Sequence, residues 1–211
     1  MKQDVYDNTL KVFQEFKSSL KDLAETLQGN IGKKDERVSV EYLARGDFEA
    51  ELKIAGDVLI FYMHTNVFKL DPKHGVSKSE YCTEDDFRRY CGTISVYNFL
   101  ADSFKYSRVN DLGYMIARIF VNKEEHFFVE GNGQLGFLYE EFQGDTFDAE
   151  VITGLVESII LYTLEFDLLN PPFGEVQAVS VHEILEATKF MTLSTGKRIG
   201  YAFQSENDPV E

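Results

Sequence analysis

The chain has 211 residues, of which 44% are hydrophobic, and this length and composition fit one globular domain and exclude a mainly disordered chain. Its 36 acidic and 21 basic residues give a formal net charge of −15, which disfavours nucleic acid and anionic lipid as partners. No stretch resembles a signal peptide or reaches the about 20 apolar residues of a membrane span, and two cysteines fit a reducing compartment, so we expect a cytoplasmic protein.

The acidic charge is concentrated in one part of the chain. Between Lys123 and Lys189 there are 14 acidic residues and no lysine or arginine, whereas the rest of the chain has 22 acidic and 21 basic residues. Such a field attracts a basic protein surface. The alternative is a solvated face that only keeps the protein in solution.

The first predicted element is a helix over residues 4–28. Apolar side chains recur there at steps of three and four, which places them on one stripe: Phe13, Phe16, Leu20, Leu23 and Leu27. Gly29 is predicted to end this helix, because glycine readily takes the left-handed conformation of a C-terminal cap.

A change to period two then predicts strands. Residues 48–54 alternate strictly between apolar and charged side chains, as in a half-buried strand, and residues 38–42 form its predicted neighbour. Gly56 is expected to supply the positive φ of a tight turn. The continuous apolar run 58–63 predicts a central strand that is covered on both faces.

The next segments alternate between short helices and strands. Thr83 is predicted to cap a short helix that Gly92 ends. Residues 93–108 combine helical spacing with β-branched chemistry, so we predict the start of a strand that passes into a helix or an irregular segment. Residues 114–121 and 126–130 read as the two arms of a second hairpin.

The strongest predicted element is a largely buried helix over residues 148–169. Only a narrow polar edge interrupts its apolar circumference, formed by Glu150, Glu157 and Glu165. A strand is predicted at 197–203, and residues 204–211 read as a flexible tail after a single domain over 1–203. The strands occur in hairpins, so we predict an α+β fold: an antiparallel sheet packed against the N-terminal helix and the buried helix near 148–169.

The segment from Gly131 to Gly136 matches the glycine pattern G-x-G-x-x-G of dinucleotide sites. That motif works where a strand of a parallel βαβ unit feeds a helix, whereas the strand here is the second arm of a hairpin. We therefore expect a turn and no cofactor.

Four potential zinc ligands lie within 28 residues: His64, His74, Cys82 and Cys91. Their spacing lacks the close pairs of structural zinc sites, so we predict no metal, although their approach in space stays open. Cys82 is the better candidate nucleophile, because it precedes a predicted helix N-terminus that would lower its thiol pKa.

The segment from 97 to 111 combines aromatic, amide and charged side chains, and it is the first place to look for a binding surface. Exposed tyrosine and arginine often anchor interfaces. The candidate binding residues are Tyr97, Asn98, Tyr106 and Arg108. The alternative is that the same residues form core and turn.

The order of a hairpin at 114–130 and a closing helix at 148–169 resembles small bacterial α+β proteins of the type III secretion-chaperone kind, most closely over 93–169. The resemblance implies a protein that binds partner chains and forms dimers, with the sheet of 38–70 as an addition. We therefore predict a non-enzymatic, protein-binding or chaperone-like protein with an acidic face, a basic protein surface as partner, and self-association as a homodimer. The alternative is an enzyme whose site is assembled only in space.

Overall fold

A seven-stranded antiparallel sheet with two long helices on one face forms the centre of the protein, which confirms the predicted α+β fold. The computed structural model describes residues 1–31, 35, 38–109, 111–131, 134–139, 142, 146–165, 168–169, 181 and 196–197. The helices are α1 (Lys2–Ile31), α2 (Glu80–Glu84), α3 (Ala101–Lys105), α4 (Gln134–Leu138) and α5 (Ala149–Leu164). The strands are β1 (Val40–Ala44), β2 (Glu49–Ile54), β3 (Asp57–Met63), β4 (Phe68–Lys69), β5 (Tyr90–Leu100), β6 (Tyr114–Asn122), β7 (Phe127–Gly131), β8 (Leu168–Leu169) and β9 (Gly196–Lys197).

Helix α1 follows its predicted apolar stripe but runs beyond the predicted end. Its fully buried side chains include Phe13, Phe16 and Leu20. The helix continues through Gly29, because the stripe continues to Ile31, which packs against the core. The prediction that Gly29 ends the helix was therefore wrong.

The strands of the sheet lie in the order β1-β2-β3-β5-β6-β7, and β4 extends β3 alongside β5. Helices α1 and α5 cover one face, where their apolar side chains pack against those of the strands in the main core. The opposite face carries a smaller apolar cluster under residues 70–89, in which the rings of Phe120 and Phe128 stack at 4.5 Å.

The first three strands confirm the predicted hairpins. Strand β2 alternates between buried and half-buried positions as its sequence pattern predicts. The turn that follows differs from the prediction, because Ala55 has the positive φ, 52°, and Gly56 does not. Strand β3 is central, but its predicted coverage on both faces fails at Tyr62, which is 39% exposed.

The connection between β4 and β5 contains three short helical segments where one was predicted: the 3₁₀ turn Val76–Lys78, α2 and the 3₁₀ turn Asp86–Arg89. Ser79, not Thr83, caps α2 by accepting from Cys82 N, and Asp85 caps the 3₁₀ turn Asp86–Arg89. Strand β5 then begins at Tyr90, so Gly92 lies inside a strand and does not end a helix. The predicted passage from strand to helix within 93–108 is confirmed by β5 and α3.

Helix α5 begins where predicted, with Asp148 accepting from Val151 N at 2.8 Å, but it ends at Leu164. Residues 168–169 pair instead with Gly196–Lys197, a partner that no local periodicity reveals. The rest of the predicted strand at 197–203 and the predicted tail at 204–211 lie outside the described residues. Across the described ranges, none of the helices combines the length and apolar character needed to cross a bilayer.

Candidate functional site

The structure separates the four predicted binding residues. Tyr97 and Asn98 are neighbours on β5, so their side chains point to opposite faces of the sheet. Tyr97 lies half-buried on the face away from α1, opposite Ile60 of β3. Asn98 is fully buried on the core side, and among the residues that the structure describes neither atom of its side-chain amide has a hydrogen-bond partner. Asn98 therefore offers nothing to a docking protein.

Tyr106 and Arg108 lie in the turn after α3, and only the tyrosine reaches solvent to a large extent. The Tyr106 residue is 37% exposed. The Arg108 side chain is only 11% exposed, and its guanidinium lies 3.5 Å from the Asp111 carboxylate and 3.8 Å from that of Asp102. Arg108 thus holds the turn between α3 and β6 together.

An uncovered apolar surface spans five strands on the side of the sheet away from the two long helices. We call it the open sheet face and define it by Leu43, Ile60, Tyr62, Tyr97 and Met115. The strand register places four of these residues in one row across the sheet, and Glu51 of β2 completes the row. The order is Leu43, Glu51, Ile60, Tyr97 and Met115. Leu43 is 51% exposed and Met115 is 38% exposed, so the ends of this row remain in contact with solvent.

Charged side chains on the same face are paired with one another. Lys53 Nζ lies 2.9 Å from Glu41 Oε1, and Arg45 Nη2 lies 2.5 Å from Glu51 Oε2. A third pair, between Arg118 and Glu130 at 2.5 Å, lies at the edge of this face, where β6 pairs with β7. Arg45 is shared with Glu49, which lies opposite Tyr62 and 3.7 Å from the guanidinium, so these pairs contain four carboxylates and three cations. The open sheet face is therefore locally close to neutral, although the chain as a whole is strongly acidic.

Residues 70–89 cover the remaining part of this side of the sheet. Polar contacts fasten the segment to the β6–β7 hairpin. His74 Nε2 lies 2.8 Å from Glu130 Oε1, and Lys123 Nζ lies 2.5 Å from Asp85 Oδ2. The covered part of the face is therefore a closed secondary core and not a groove.

Both cysteines lie in that secondary core as free thiols. Burial raises the pKa of Cys82, against the opposing effects of a hydrogen bond with Ser79 and the nearby Arg89 and Arg88. Burial also raises the pKa of Cys91, and the nearby Cys82 adds to the shift. Cys82 is not before a helix N-terminus but within α2, so the expected activation of its thiol is absent.

The two histidines proposed as metal ligands lie in different places. His74 contacts Glu130 and the ring of Phe128, whereas the ring of His64 lies 4.8 Å from that of Phe68. Among the residues that the structure describes, no group of three or more histidine, cysteine or acidic side chains is arranged to hold a metal ion.

The glycine pattern at 131–136 has a packing explanation. A Cβ at Gly136 would lie 2.5 Å from the carbonyl oxygen of Gly131, and a Cβ at Gly131 would lie 2.9 Å from Leu135 Cβ. The glycines thus permit the end of β7 to contact α4 closely. Because α4 has five residues and β7 is antiparallel to β6, the arrangement is not that of a dinucleotide site.

The acidic segment of the chain divides into paired and unpaired carboxylates. Glu124, Glu125 and Glu130 are paired with Arg88, Lys11 and Arg118 from other parts of the chain. The exposed edge of α5, which we call the acidic edge, consists of Glu150, Glu157, Leu161, Leu164 and Glu165. Within the described part of the chain, its three carboxylates have no cationic partner.

The acidic edge also contains exposed apolar side chains. Leu161 is 62% exposed and Leu164 is 52% exposed, and they lie between Glu157 and Glu165 along the helix. Sequence reasoning recognised the polar edge from the spacing of its glutamates but assigned the apolar residues of the helix to the core. The exposed leucines could have been found from their helical positions, since residues 157, 161, 164 and 165 share one side of an α-helix.

The chain was compared with models of protein families, with curated proteins and with solved structures, and none of the three comparisons gave a match.

Proposed function

We propose that the protein is a non-enzymatic, chaperone-like protein that binds a basic, amphipathic segment of a partner protein along the acidic edge of α5. The observation that carries this proposal is the pair of exposed leucines, Leu161 and Leu164, flanked by unpaired carboxylates on a helix whose opposite side is buried.

Charge selects the kind of partner. Glu150 and Glu165 are fifteen residues apart on one helix, so the acidic edge is about 22 Å long. No lysine or arginine occurs between Lys123 and Lys189, so nothing in this stretch of sequence competes with a partner's cations. A basic segment gains from this field, and an acidic one is repelled.

The two leucines give the acidic edge an apolar contact surface, which carboxylates that only improve solubility do not need. Exposed carboxylates alone give long-range attraction without a defined position, because they stay hydrated. Two leucines one turn apart offer apolar contact area that an amphipathic partner helix can cover with residues at the same spacing. The proposal therefore requires a partner that is both cationic and apolar on one side.

The proposal also extends the resemblance to secretion chaperones, whose members bind partner chains. Two buried free cysteines are consistent with a reducing compartment, and we place this activity in the cytoplasm.

A synthetic helical peptide of about 18 residues, with lysine on one side and leucine on the other, matches the length of the acidic edge. Titration calorimetry should show binding that weakens as salt rises from about 0.1 to about 0.5 M, because screening shortens the reach of the field. The same peptide with glutamate in place of lysine should not bind. The absence of measurable binding between the wild-type protein and the lysine peptide would contradict the proposal.

Matched variants separate the acidic edge from net charge. The variant Glu150→Gln, Glu157→Gln, Glu165→Gln should weaken binding about tenfold, the equivalent of about 1.4 kcal/mol. Its control removes three exposed carboxylates from α1 by Asp7→Asn, Asp22→Asn and Glu25→Gln, which leaves the same net charge. An equal loss in both variants would show unspecific attraction and would overturn the assignment to α5.

A further inference from the structure

A second surface of the molecule, the open sheet face, has no part in the function proposed above. It is separated from the acidic edge by the sheet, because α5 packs in the main core on the other side. Leu43, Tyr62 and Met115 are exposed there and Ile60 and Tyr97 are half-buried, whereas the charged residues are already paired. Its chemistry therefore differs from that of the acidic edge, and so must its partner.

The charge balance of this face argues against a basic partner. Glu41, Glu51 and Glu130 each have a cation within 3 Å, from Lys53, Arg45 and Arg118 respectively. A basic protein would have to displace those cations to gain new ion pairs, which leaves no net electrostatic gain. The apolar side chains that lie between these ion pairs favour a partner whose own contact surface is apolar and close to neutral.

A second copy of this chain is such an occupant, and the paired charges of this face allow it to approach on this side. Two chains of net charge −15 repel each other wherever their unpaired carboxylates come close. If two open sheet faces meet, the sheets stack about 10 Å apart and the α5 helices lie on the outside, roughly 30 Å from each other. That separation is about three Debye lengths at physiological salt, so the repulsion is largely screened.

We propose that the open sheet face is the interface of a homodimer in which two sheets pack face to face. In this arrangement the row of Leu43, Ile60, Tyr97 and Met115 meets the same row of the second copy across a twofold axis. Tyr62 and Tyr97 contribute large, rigid side chains with a polar end, a type that is common in protein interfaces.

Aromatic residues beside the open sheet face extend its apolar surface in both directions along the strands. On one side, rings continue from Tyr62 through His64 to Phe68, with centroids 6.3 Å and 4.8 Å apart. On the other side, Phe104 packs edge-on against Phe99 at 5.4 Å and remains 42% exposed. A contact centred on the row thus has apolar neighbours at both ends.

The size of the face predicts a modest affinity. Five strands span roughly 19 Å. A patch that extends about as far along the strands covers roughly 360 Å², which is less than half of the about 800 Å² per partner that stable interfaces bury. We therefore expect a dissociation constant in the micromolar range, with monomer at low and dimer at high protein concentration.

Sedimentation equilibrium over a protein range from about 1 to about 500 μM brackets that affinity. The wild-type protein should pass from monomer to dimer, and the variant Tyr62→Lys, Met115→Lys should raise the dissociation constant at least tenfold. Both substituted side chains are exposed, and circular dichroism checks that the variant is folded. The control Leu161→Lys, Leu164→Lys places the same two charges on exposed positions of α5 and should leave the dimer intact.

Three outcomes would overturn the inference: a wild-type protein that stays monomeric, a dimer that the face variant does not weaken, or a dimer that only the α5 variant abolishes. If the face variant does not fold, hydroxyl-radical footprinting of the wild-type protein gives the answer instead. Tyr62, Tyr97 and Met115 should become less reactive at high concentration, whereas unchanged reactivity in a dimer would place the interface elsewhere. Because the peptide titration uses the other side of the molecule, either proposal can fail alone.

Discussion

The side chain of Thr9 occupies the position that a Cβ at Gly92 would need, with its Oγ1 only 2.1 Å from that point. Thr9 is fully buried, and its hydroxyl donates to the carbonyl oxygen of Val5 at 2.6 Å. Helix α1 can therefore lie directly on β5 at this point because residue 92 has no side chain. This contact sets the distance between α1 and the centre of the sheet.

The substitution Gly92→Ala should destabilise the protein by roughly 1–3 kcal/mol, because the added methyl group overpacks the contact with α1. Urea denaturation measures the change. In a Thr9→Ala background the same substitution should cost less, since the two threonine atoms at 2.1 and 2.8 Å are then gone. Equal costs in both backgrounds would mean that α1 does not lie on β5 as described.

The substitution Gly29→Ala tests the extension of α1. A Cβ at Gly29 meets nothing within 4 Å, and its φ is not positive. Alanine in a helix interior is about 0.5–1 kcal/mol more favourable than glycine, so the melting temperature should rise. The matched control is Gly46→Ala, also in open space but at φ 84°, which should be destabilising by about 1–2 kcal/mol. A loss of stability on Gly29→Ala would place the end of the helix at Gly29 after all.

Local patterns in the sequence were sufficient for the elements that carry strong periodicity. The stripe of α1, the alternation of β2 and the cap at Asp148 each depend on neighbouring residues, so the sequence shows them directly. Secondary-structure predictions failed where contacts with a distant part of the chain determine the local conformation. Gly92 resembles the end of a helix in sequence, but it lies in β5, opposite Val121, where the side chain of Thr9 takes the space of a Cβ.

The candidate site was predictable only in part, for the same reason. The glutamates of the acidic edge follow from helical spacing, and Tyr97 was selected as an interface residue before its face was known. Tyr62 and Met115 were missed, because their exposure depends on which side of the sheet the helices cover. Asn98 was included because composition cannot tell which of two adjacent strand residues faces the core.

The hydroxyl of Tyr81 accepts from Asn122 Nδ2 at 2.7 Å and donates to Glu124 Oε2 at 2.8 Å. Burial raises the pKa of Tyr81, and the Glu124 carboxylate adds to this effect against the hydrogen bond from Asn122. Because Asn122 is fully buried, Tyr81→Phe leaves its Nδ2 without this hydrogen bond, although Oδ1 still accepts from Glu124 N and His126 N, and should cost about 1–3 kcal/mol. Tyr106→Phe, at an exposed position, should stay within about 0.5 kcal/mol of wild type. Equal values for the two variants in chemical denaturation would show that the buried hydrogen bond contributes nothing.

The ion pair between Arg118 and Glu130 should make stability depend on pH. Burial alone would raise the pKa of Glu130, but hydrogen bonds from Arg118 and His74 outweigh it and hold the pKa below its ordinary value. A carboxyl whose pKa is lowered by folding stabilises the protein above its unfolded pKa, and this contribution is lost as pH falls through the folded pKa. The free energy of unfolding should therefore fall as the pH drops below about 5.

Glu130→Gln should reduce stability at neutral pH by less than about 1 kcal/mol, since the pair is partly exposed and screened. The difference from wild type should vanish in acid, because the wild-type carboxyl is then protonated and resembles the amide in charge. Urea titrations between about pH 7 and about pH 3 measure this convergence. Glu157→Gln on the acidic edge is the control, because it removes one carboxylate without breaking a pair. If the curves for wild type and Glu130→Gln stay parallel down to the lowest pH, the ion pair between β6 and β7 does not contribute to stability.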